Sequence, residues 1–544
     1  MDFSIFMAER HGWRLATQVA RLAAFGCILL GLAGCLADQR LGDGTPRALL
    51  PDSSIQGDRL ATSGEAKVAL LLPMSGSNAD IGQQLWDGAV LALFESGRDD
   101  IALLPFDTKG TPTGAAEAAN AAVKAGANVV VGPLFSSSVS AARPALTAGG
   151  IRAIAFSNNQ AVAGPPVFLI GNHPETQVDA MATYLANSDR RRIALVGPDT
   201  PYLRLIRERL ALLDKVGKIQ LVDTRLYPPN ASYTEIGNAV RSLTLYDRRV
   251  KALKDFTAIF SDAWEKNEDP EAALEAALDR LSHRLEASRV RLATYSTDAA
   301  PERKGWAVSE TEYSDALSEL LQIYHKQLDI KETPKEAMDE AVSEFQLKET
   351  LGRVDFDAVL LPVGGRPLLV IAPMFEYFNA SQPDVWLLGT DVWDSVSPAR
   401  ANDLLGGRYV TSTSPAFTDF KGRFEKVFGQ SPDRLAASAY DAIRVAITEK
   451  TETGRVAFSE DFITRRTGFD GINGRFRFLP SGVNERTLDV VELQKASAKT
   501  VFTWQPDQPP AASPETPQTT LPAEPVVPQT PPVSSLDNTA GHNG

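Results

Sequence analysis

The feature that most constrains this chain is a repeated alternation of short apolar runs, rich in β-branched residues, with longer helical ones. "KVALLLP" at 67–73 is a buried strand by composition, and the following "IGQQLWDGAVLALFESG" places Ile81, Leu85, Ala89 and Leu93 on one helical face. "IALLPFD", the alanine-rich "GAAEAANAAVKAG", "NVVVGP", another helix and "IRAIAFS" come next. A second series runs "RRIALVGP", the helix "YLRLIRERLALLDKVG", "IQLVDTRLYP", "FDAVLLPVGG" and "VWLLGTD". Strands apolar on both faces must be covered on both faces, and parallel neighbours are reached only through crossover helices. The pattern predicts an α/β chain of two doubly wound parallel-sheet lobes, with ligands beyond the carboxyl ends of the strands.

A charged helical insertion interrupts the series at 246–353. Leu274, Leu278, Leu281 and Leu285 recur at helical spacing, and a second run places Tyr313, Leu317, Leu320, Tyr324 and Leu328 on one face. A third helix opens with Thr333 as N-cap, Pro334 at the first helical position and Glu336 as capping-box partner. The insertion is expected to be antiparallel and either to pack on its host domain or to act as a protein docking arm.

The two ends read differently. Arg10, Arg14 and Arg21 precede an uncharged run at 22–34, the layout of a secretory signal and too short for a comfortable membrane span. Leu32-Ala33-Gly34-Cys35 resembles the lipobox of bacterial lipoproteins, which implies cleavage after residue 34 and acylation of Cys35. Several acyl chains at about 0.8 kcal/mol per buried methylene hold a protein on a membrane. Leu36 stands where an inner-membrane retention signal has Asp, so the expected place is the periplasmic face of the outer membrane, the outer face of the inner membrane being the alternative. With Cys27 in the removed segment, the mature chain has one cysteine and no internal disulfide. Residues 35–65 read as a lipidated start and tether, and the proline-rich 505–544 as a disordered tail, a spacer or a ligand for a proline-recognising partner.

Between them, the phrases "VALLLPMSGSNADIGQQLWDGAVLAL", "VVVGPLFSSSVSAARPALTAGGIRAIAFSNN", "RIALVGPDTPYLRLI", "VWLLGTDVWDS", "FGQSPDRLAASAYDAIRVA" and "FDGINGRFRFLPSGVNERTLDVVEL" stand in order. Together they resemble the type 1 periplasmic solute-binding fold, in its leucine/isoleucine/valine-binding branch. The resemblance implies one body at 66–504, its lobes joined by crossovers. One lobe would hold 66–172 and 400–470, the other 173–399 and 471–504, with the insertion in the second.

Ser136, Ser137 and Ser138 follow a strand and open a helical pattern, where exposed backbone N–H groups attract an anion. Simple N-capping is the alternative and needs only one of them. The resemblance places this cluster at a ligand carboxylate, and it makes Ser75, Ser157 and Asn159 candidates for polar contacts. Across the cleft it implies Tyr202 as a ligand cover and Asp391 as the partner of an ammonium group, although an aspartate at a strand end also serves turns.

A net charge of −13 without a concentrated basic surface argues against nucleic acid. No Gly-x-Ser-x-Gly elbow, phosphate-binding Gly-x-x-x-x-Gly-Lys loop or Ser-x-x-Lys occurs. His173, His283, His325 and His542 are scattered without metal-ligand spacing and read as solvated or helix-surface histidines. The chain is therefore expected to be non-catalytic and to need no cofactor or metal. Two functions remain. The chain also resembles the penicillin-binding protein activators, outer-membrane lipoproteins that stimulate a peptidoglycan synthase, an expectation favoured by the lipobox, insertion and tail. The alternative is a substrate-binding lipoprotein that hands an amino-acid-like ligand to an ABC permease.

Overall fold

The computed structural model describes residues 66–267, most of 269–283, 310–395, 402–449, 458–495 and 497–506. Cys35, the tether, the tail from 507 on, Leu274, Leu285, His542 and the side chain of Tyr313 lie outside the described residues. The chain divides into Met1–Leu60 and Ala61–Gly544, and everything below concerns the second unit.

Strands β1 (Ala66–Leu72), β2 (Ile101–Asp107), β3 (Val129–Val131), β4 (Ala153–Ala155) and β5 (Val167–Leu169) form a five-stranded parallel sheet ordered β2-β1-β3-β4-β5. The period-two geometry of β1 divides its apolar residues between two cores. Val68, Leu70 and Leu72 face helix α1 (Ala79–Ser96), whereas Ala69 and Leu71 face α2 (Pro112–Lys124) and α3 (Ser136–Gly149). Two helices from far along the chain, α11 (Pro415–Phe428) and α12 (Arg434–Thr448), complete this lobe through Phe420, Phe424 and the alanines of α12. At Gly88 the α1 backbone comes so near α12 that a Cβ would lie 2.1 Å from the Ala436 carbonyl oxygen.

The second sheet has seven strands ordered β15-β14-β10-β9-β8-β6-β7. Strands β6 (Arg192–Pro198), β7 (Gln220–Tyr227), β8 (Ala358–Leu360), β9 (Trp386–Gly389) and β10 (Arg408–Thr411) are parallel. Strands β14 (Leu488–Leu493) and β15 (Ala498–Trp504) close one edge in antiparallel pairing. Helices α4 (Pro174–Asn187) and α5 (Pro201–Lys215) cover one face, and α6 (Tyr233–Leu243) and α10 (Gly365–Tyr377) the other. Strands β11 (Phe469–Gly471), β12 (Gly474–Phe478) and β13 (Asn484–Arg486) form a small antiparallel sheet whose Phe469, Phe476 and Phe478 join the first core.

The lobe boundaries differ from those expected. Arg408–Thr411 pairs with β9 and β14, so the return to the first lobe falls after Thr411 and not at 400. Residues 471–486 stay with the first lobe, because the phenylalanines of β12 are buried in its core. The chain therefore crosses between lobes after β5, after β10 and after β13.

The insertion contains α7 (Tyr246–Lys266), α8 (Glu310–Leu328) and α9 (Pro334–Phe345), and it has its own apolar core around Phe256, Phe260, Leu320 and Phe345. Leu317, Leu320 and Tyr324 are buried as their spacing predicts. Leu278 instead faces solvent at 43% exposure, and Ala273, Ala277 and Leu281 form the buried stripe, so the inward face is rotated from the expected one. Thr333 caps α9 by accepting from Glu336 N–H at 3.3 Å, and the reciprocal half of the capping box is not formed. Arg249 roots the insertion in its host. All of its N–H groups are used, on the carbonyls of Thr244, Gly352, Phe378 and Asn379 and on Thr350 Oγ1.

Candidate functional site

Each ligand-binding candidate singled out from the sequence lies beyond the carboxyl end of a strand, where an open α/β sheet exposes loops and helix starts. Gly132 turns the chain from β3 towards α3 at φ +105°, and a Cβ there would lie 2.2 Å from the Leu71 carbonyl oxygen. Ser136, Ser137 and Ser138 are the first three residues of α3, whose N-cap is Phe135 with no side-chain cap. None of the serines is the N-cap, so the capping alternative fails. Their backbone N–H groups occupy helix positions that lack an intrahelical acceptor. Ser137 is exposed, and the Ser138 hydroxyl is buried without a partner among the described residues.

The other first-lobe candidates are engaged locally. Ser75 Oγ donates to Asp107 Oδ2 at 2.5 Å, while Asp107 Oδ1 accepts from the N–H groups of Met74 and Lys109, which braces the loop after β1. Ser157 is 3% exposed and its Oγ accepts from Asn159 N–H at 3.2 Å. Asn159 Oδ1 accepts from Ala161 N–H and caps the short turn Gln160–Val162.

In the second lobe, Tyr202 OH donates to Thr390 Oγ1 at 2.9 Å, and burial raises its pKa. Asp391 Oδ2 accepts from Asn172 Nδ2 at 2.9 Å, and Asp391 N–H donates to Gln177 Oε1 at 2.9 Å. Loss of water around it pushes the Asp391 carboxyl up to about 6, against the Asn172 hydrogen bond and with the nearby Asp394 charge. Among the described residues, no hydrogen bond joins the first-lobe serines to Tyr202 or Asp391. The structure therefore keeps the candidates in two groups.

What does converge is a polar hinge around the crossovers. His173 is 3% exposed, and burial lowers its pKa to about 4, so it is a neutral core histidine and not the solvated one its sequence setting suggests. Its Nδ1 lies 3.0 Å from the Asn158 carbonyl oxygen and its Nε2 lies 3.2 Å from Asn484 Nδ2, contacts that fit the tautomer with Nδ1 protonated. Asn484 Nδ2 also reaches the carbonyls of Leu169 and Gly171, which ties β13 to the end of β5. Arg486 is buried, donating to the carbonyls of Asn473 and Ile170. Burial lowers its pKa to about 10, partly offset by the charge of Asp441, whose own carboxyl burial pushes up to about 6.

A charge pair links the lobes next to this hinge. Asp394, in the turn after β9, accepts from Tyr409 OH and Thr411 Oγ1 and pairs with Arg434 Nε of α12 at 3.1 Å. Arg434 also reaches Asn473 Oδ1 and lies 4.0 Å from the ring centre of Phe417. Asp394, Arg434, Asp441, Asn484 and Arg486 stand inside the phrases that carry the resemblance, yet neither they nor Asn172 and Gln177 were singled out, since each acquires its partner only when distant segments meet. Among the described residues no group of His, Cys, Asp and Glu could hold a metal ion, and no helix is long and apolar enough to cross a membrane.

Two doubly wound lobes, joined by crossovers after β5, β10 and β13, define the type 1 periplasmic binding protein fold. Within this body, residues 65–244 match the family model described as periplasmic binding protein. The body resembles a branched chain amino acid ABC transporter periplasmic ligand-binding protein from Burkholderia xenovorans LB400, with TM-score 0.51 and 14% identity over 81% of this chain and 96% of that one. It also resembles an ABC transporter substrate-binding protein from Sphaerobacter thermophilus, with TM-score 0.50 and 16% identity over 81% and 98% of the two chains. Identities this low speak for the fold alone. An uncharacterized protein of Rickettsia prowazekii (strain Madrid E) is 26% identical over 180 residues, 33% of this chain and 47% of that relative, so the match spans about half of the relative's length.

Proposed function

We propose that this is a lipid-anchored, extracytoplasmic and non-catalytic protein that regulates peptidoglycan synthesis by contacting a synthase, in the manner of the penicillin-binding protein activators. The observation that carries this reading is the commitment of the cleft's second-lobe groups to the chain itself. Tyr202 is bonded to Thr390, and Asp391 to Asn172 and Gln177, the two groups that an amino-acid receptor would turn towards its ligand. The insertion, with a core of its own, supplies surface that a transport receptor does not need. A second reading, the substrate-binding lipoprotein of an ABC amino-acid transporter, is favoured by the uncapped start of α3 and the unpartnered Ser138 hydroxyl.

The test combines two measurements on the acylated full-length protein in detergent. Thermal shift is recorded against amino acids, small peptides and muropeptides, where a ligand at 100 times its Kd adds about 2.7 kcal/mol. Synthase activity is then recorded with and without the protein. Stimulation of the synthase without any amino-acid shift supports regulation. A shift with an amino acid that Ser137→Ala abolishes, together with no effect on the synthase, overturns it in favour of transport.

A further inference from the structure

A groove lies well away from the cleft. It is an open groove of about 450 Å³ on the outer side of the first lobe, between α1 and the edge strand β2. Trp86, Val90, Leu93 and Phe94 form its wall from α1 and Leu103 contributes from β2, with Gly97, Arg98 and Asp99 at one end. Phe94 is 80% exposed. The spacing of the wall residues is that of one helical stripe, and Trp86 and Phe94 stand about 12 Å apart along the helix axis at 1.5 Å per residue. Phe94 stands in solvent beside the half-buried Trp86 and Leu93 on the same stripe, apolar exposure that the fold itself does not require.

The chain carries a segment of matching chemistry. Within "LPAEPVVPQTPPV", Pro522, Pro525, Pro528 and Pro531 recur at every third residue. A polyproline II helix has three residues per turn and rises about 3.1 Å per residue, so these prolines would share one face with a repeat of about 9 Å. Aromatic-lined grooves bind such faces because proline stacks flat on indole and phenyl rings and has little conformational freedom left to lose. The segment is also within reach. From Trp504, the last residue of β15, to Pro522 are eighteen residues, about 55 Å at the polyproline rise, against a radius of gyration near 22 Å for a body of this size.

We infer that the groove between α1 and β2 is a docking site for a polyproline helix, and that its occupant is the chain's own 519–533 segment. The inference is independent of whether the cleft binds a solute. The tail's 505–544 residues contain no Lys or Arg, and the groove is walled by apolar side chains, so docking is driven by ring stacking and is insensitive to salt. A tail docked there covers the exposed Phe94 and the outward edge of Trp86.

The experiment uses the full-length chain with p-benzoylphenylalanine in place of Phe94, a position exposed enough to tolerate it. Photocrosslinked peptides are mapped by mass spectrometry at several protein concentrations. The expected result is intramolecular crosslinks concentrated in 519–533, unchanged on dilution, and about tenfold fewer in the Pro525→Ala/Pro528→Ala variant. Amide exchange of 84–103 in the chain with Phe94 intact provides a second readout, and it should quicken when those prolines are replaced. Crosslinks between two copies that rise with concentration, crosslinks indifferent to the proline substitutions, or unchanged exchange would each overturn the assignment.

Discussion

Asp391 is held up to about 6 and His173 down to about 4, so two residues of the hinge region couple folding to pH in opposite senses. The raised carboxyl binds a proton in the folded state before the unfolded chain does. Its ionisation therefore costs stability, increasingly from about pH 4 to pH 6 and fully above. Asp391→Asn keeps an acceptor for Asn172 and removes that cost. It is expected to leave Tm near its original value at pH 4 and to raise it by a few degrees at pH 8, as read by differential scanning calorimetry. The depressed imidazole acts the other way, because the unfolded chain takes up a proton below 6.5 while the folded chain resists until about 4. Stability from His173 is present above pH 6.5 and is lost as pH falls towards 4. His173→Gln, with a donor and an acceptor but no titration, should flatten that loss in a Tm profile from pH 7 to pH 4. Both positions were visible in the sequence as residues, Asp391 through a resemblance and His173 as a lone histidine. Their environments were not, because Asn172, Gln177 and Asn484 reach them only in the folded chain.

At the scale of elements, local pattern carried most of the strands and helices. Seven-residue runs such as "IALLPFD" became β2 without adjustment, since a strand needs only its own side-chain period and its burial. Helix faces in the insertion were less legible. Alanine packs as readily as leucine where helices approach closely, so Ala273 and Ala277 join the expected Leu281 on the inward face and Leu278 turns to solvent. The attachment of the insertion depends on one side chain. Arg249 ends the carbonyl row of α10 at Phe378 and Asn379 and also holds the return segment at Thr350 and Gly352. Arg249→Met leaves several buried acceptors without donors, at a cost of about 3 kcal/mol or more. Limited proteolysis should then cut within 250–350 well before either sheet is attacked. Simultaneous loss of the sheets would mean that the insertion does not unfold as a separate unit.

At the scale of the described body, the two lobes meet where Arg434 of α12 reaches Asp394 and Thr411. Asp394 and Arg434 form a charge pair between them, each about one-fifth exposed, at 19% and 24%. Arg434→Met retains contact with Phe417 and removes the pair, which is expected to cost about 1–2 kcal/mol in this half-buried setting. The expected sign is faster amide exchange at 412–414, with exchange in β1 and β6 unchanged. A uniform increase over both sheets would show instead that the pair supports the fold and not the lobe angle. An α/β chain of two doubly wound lobes with a helical insertion was settled by the sequence alone, because side-chain periodicity and crossover geometry are local properties of each segment. The lobe boundaries, the rotated helix face, the neutral histidine and the interlobe pair were decided only by tertiary structure. Each depends on groups far apart in the chain, as with Asn484 and Leu169 at a separation of 315 residues, and burial then fixes which polar atoms must find one another.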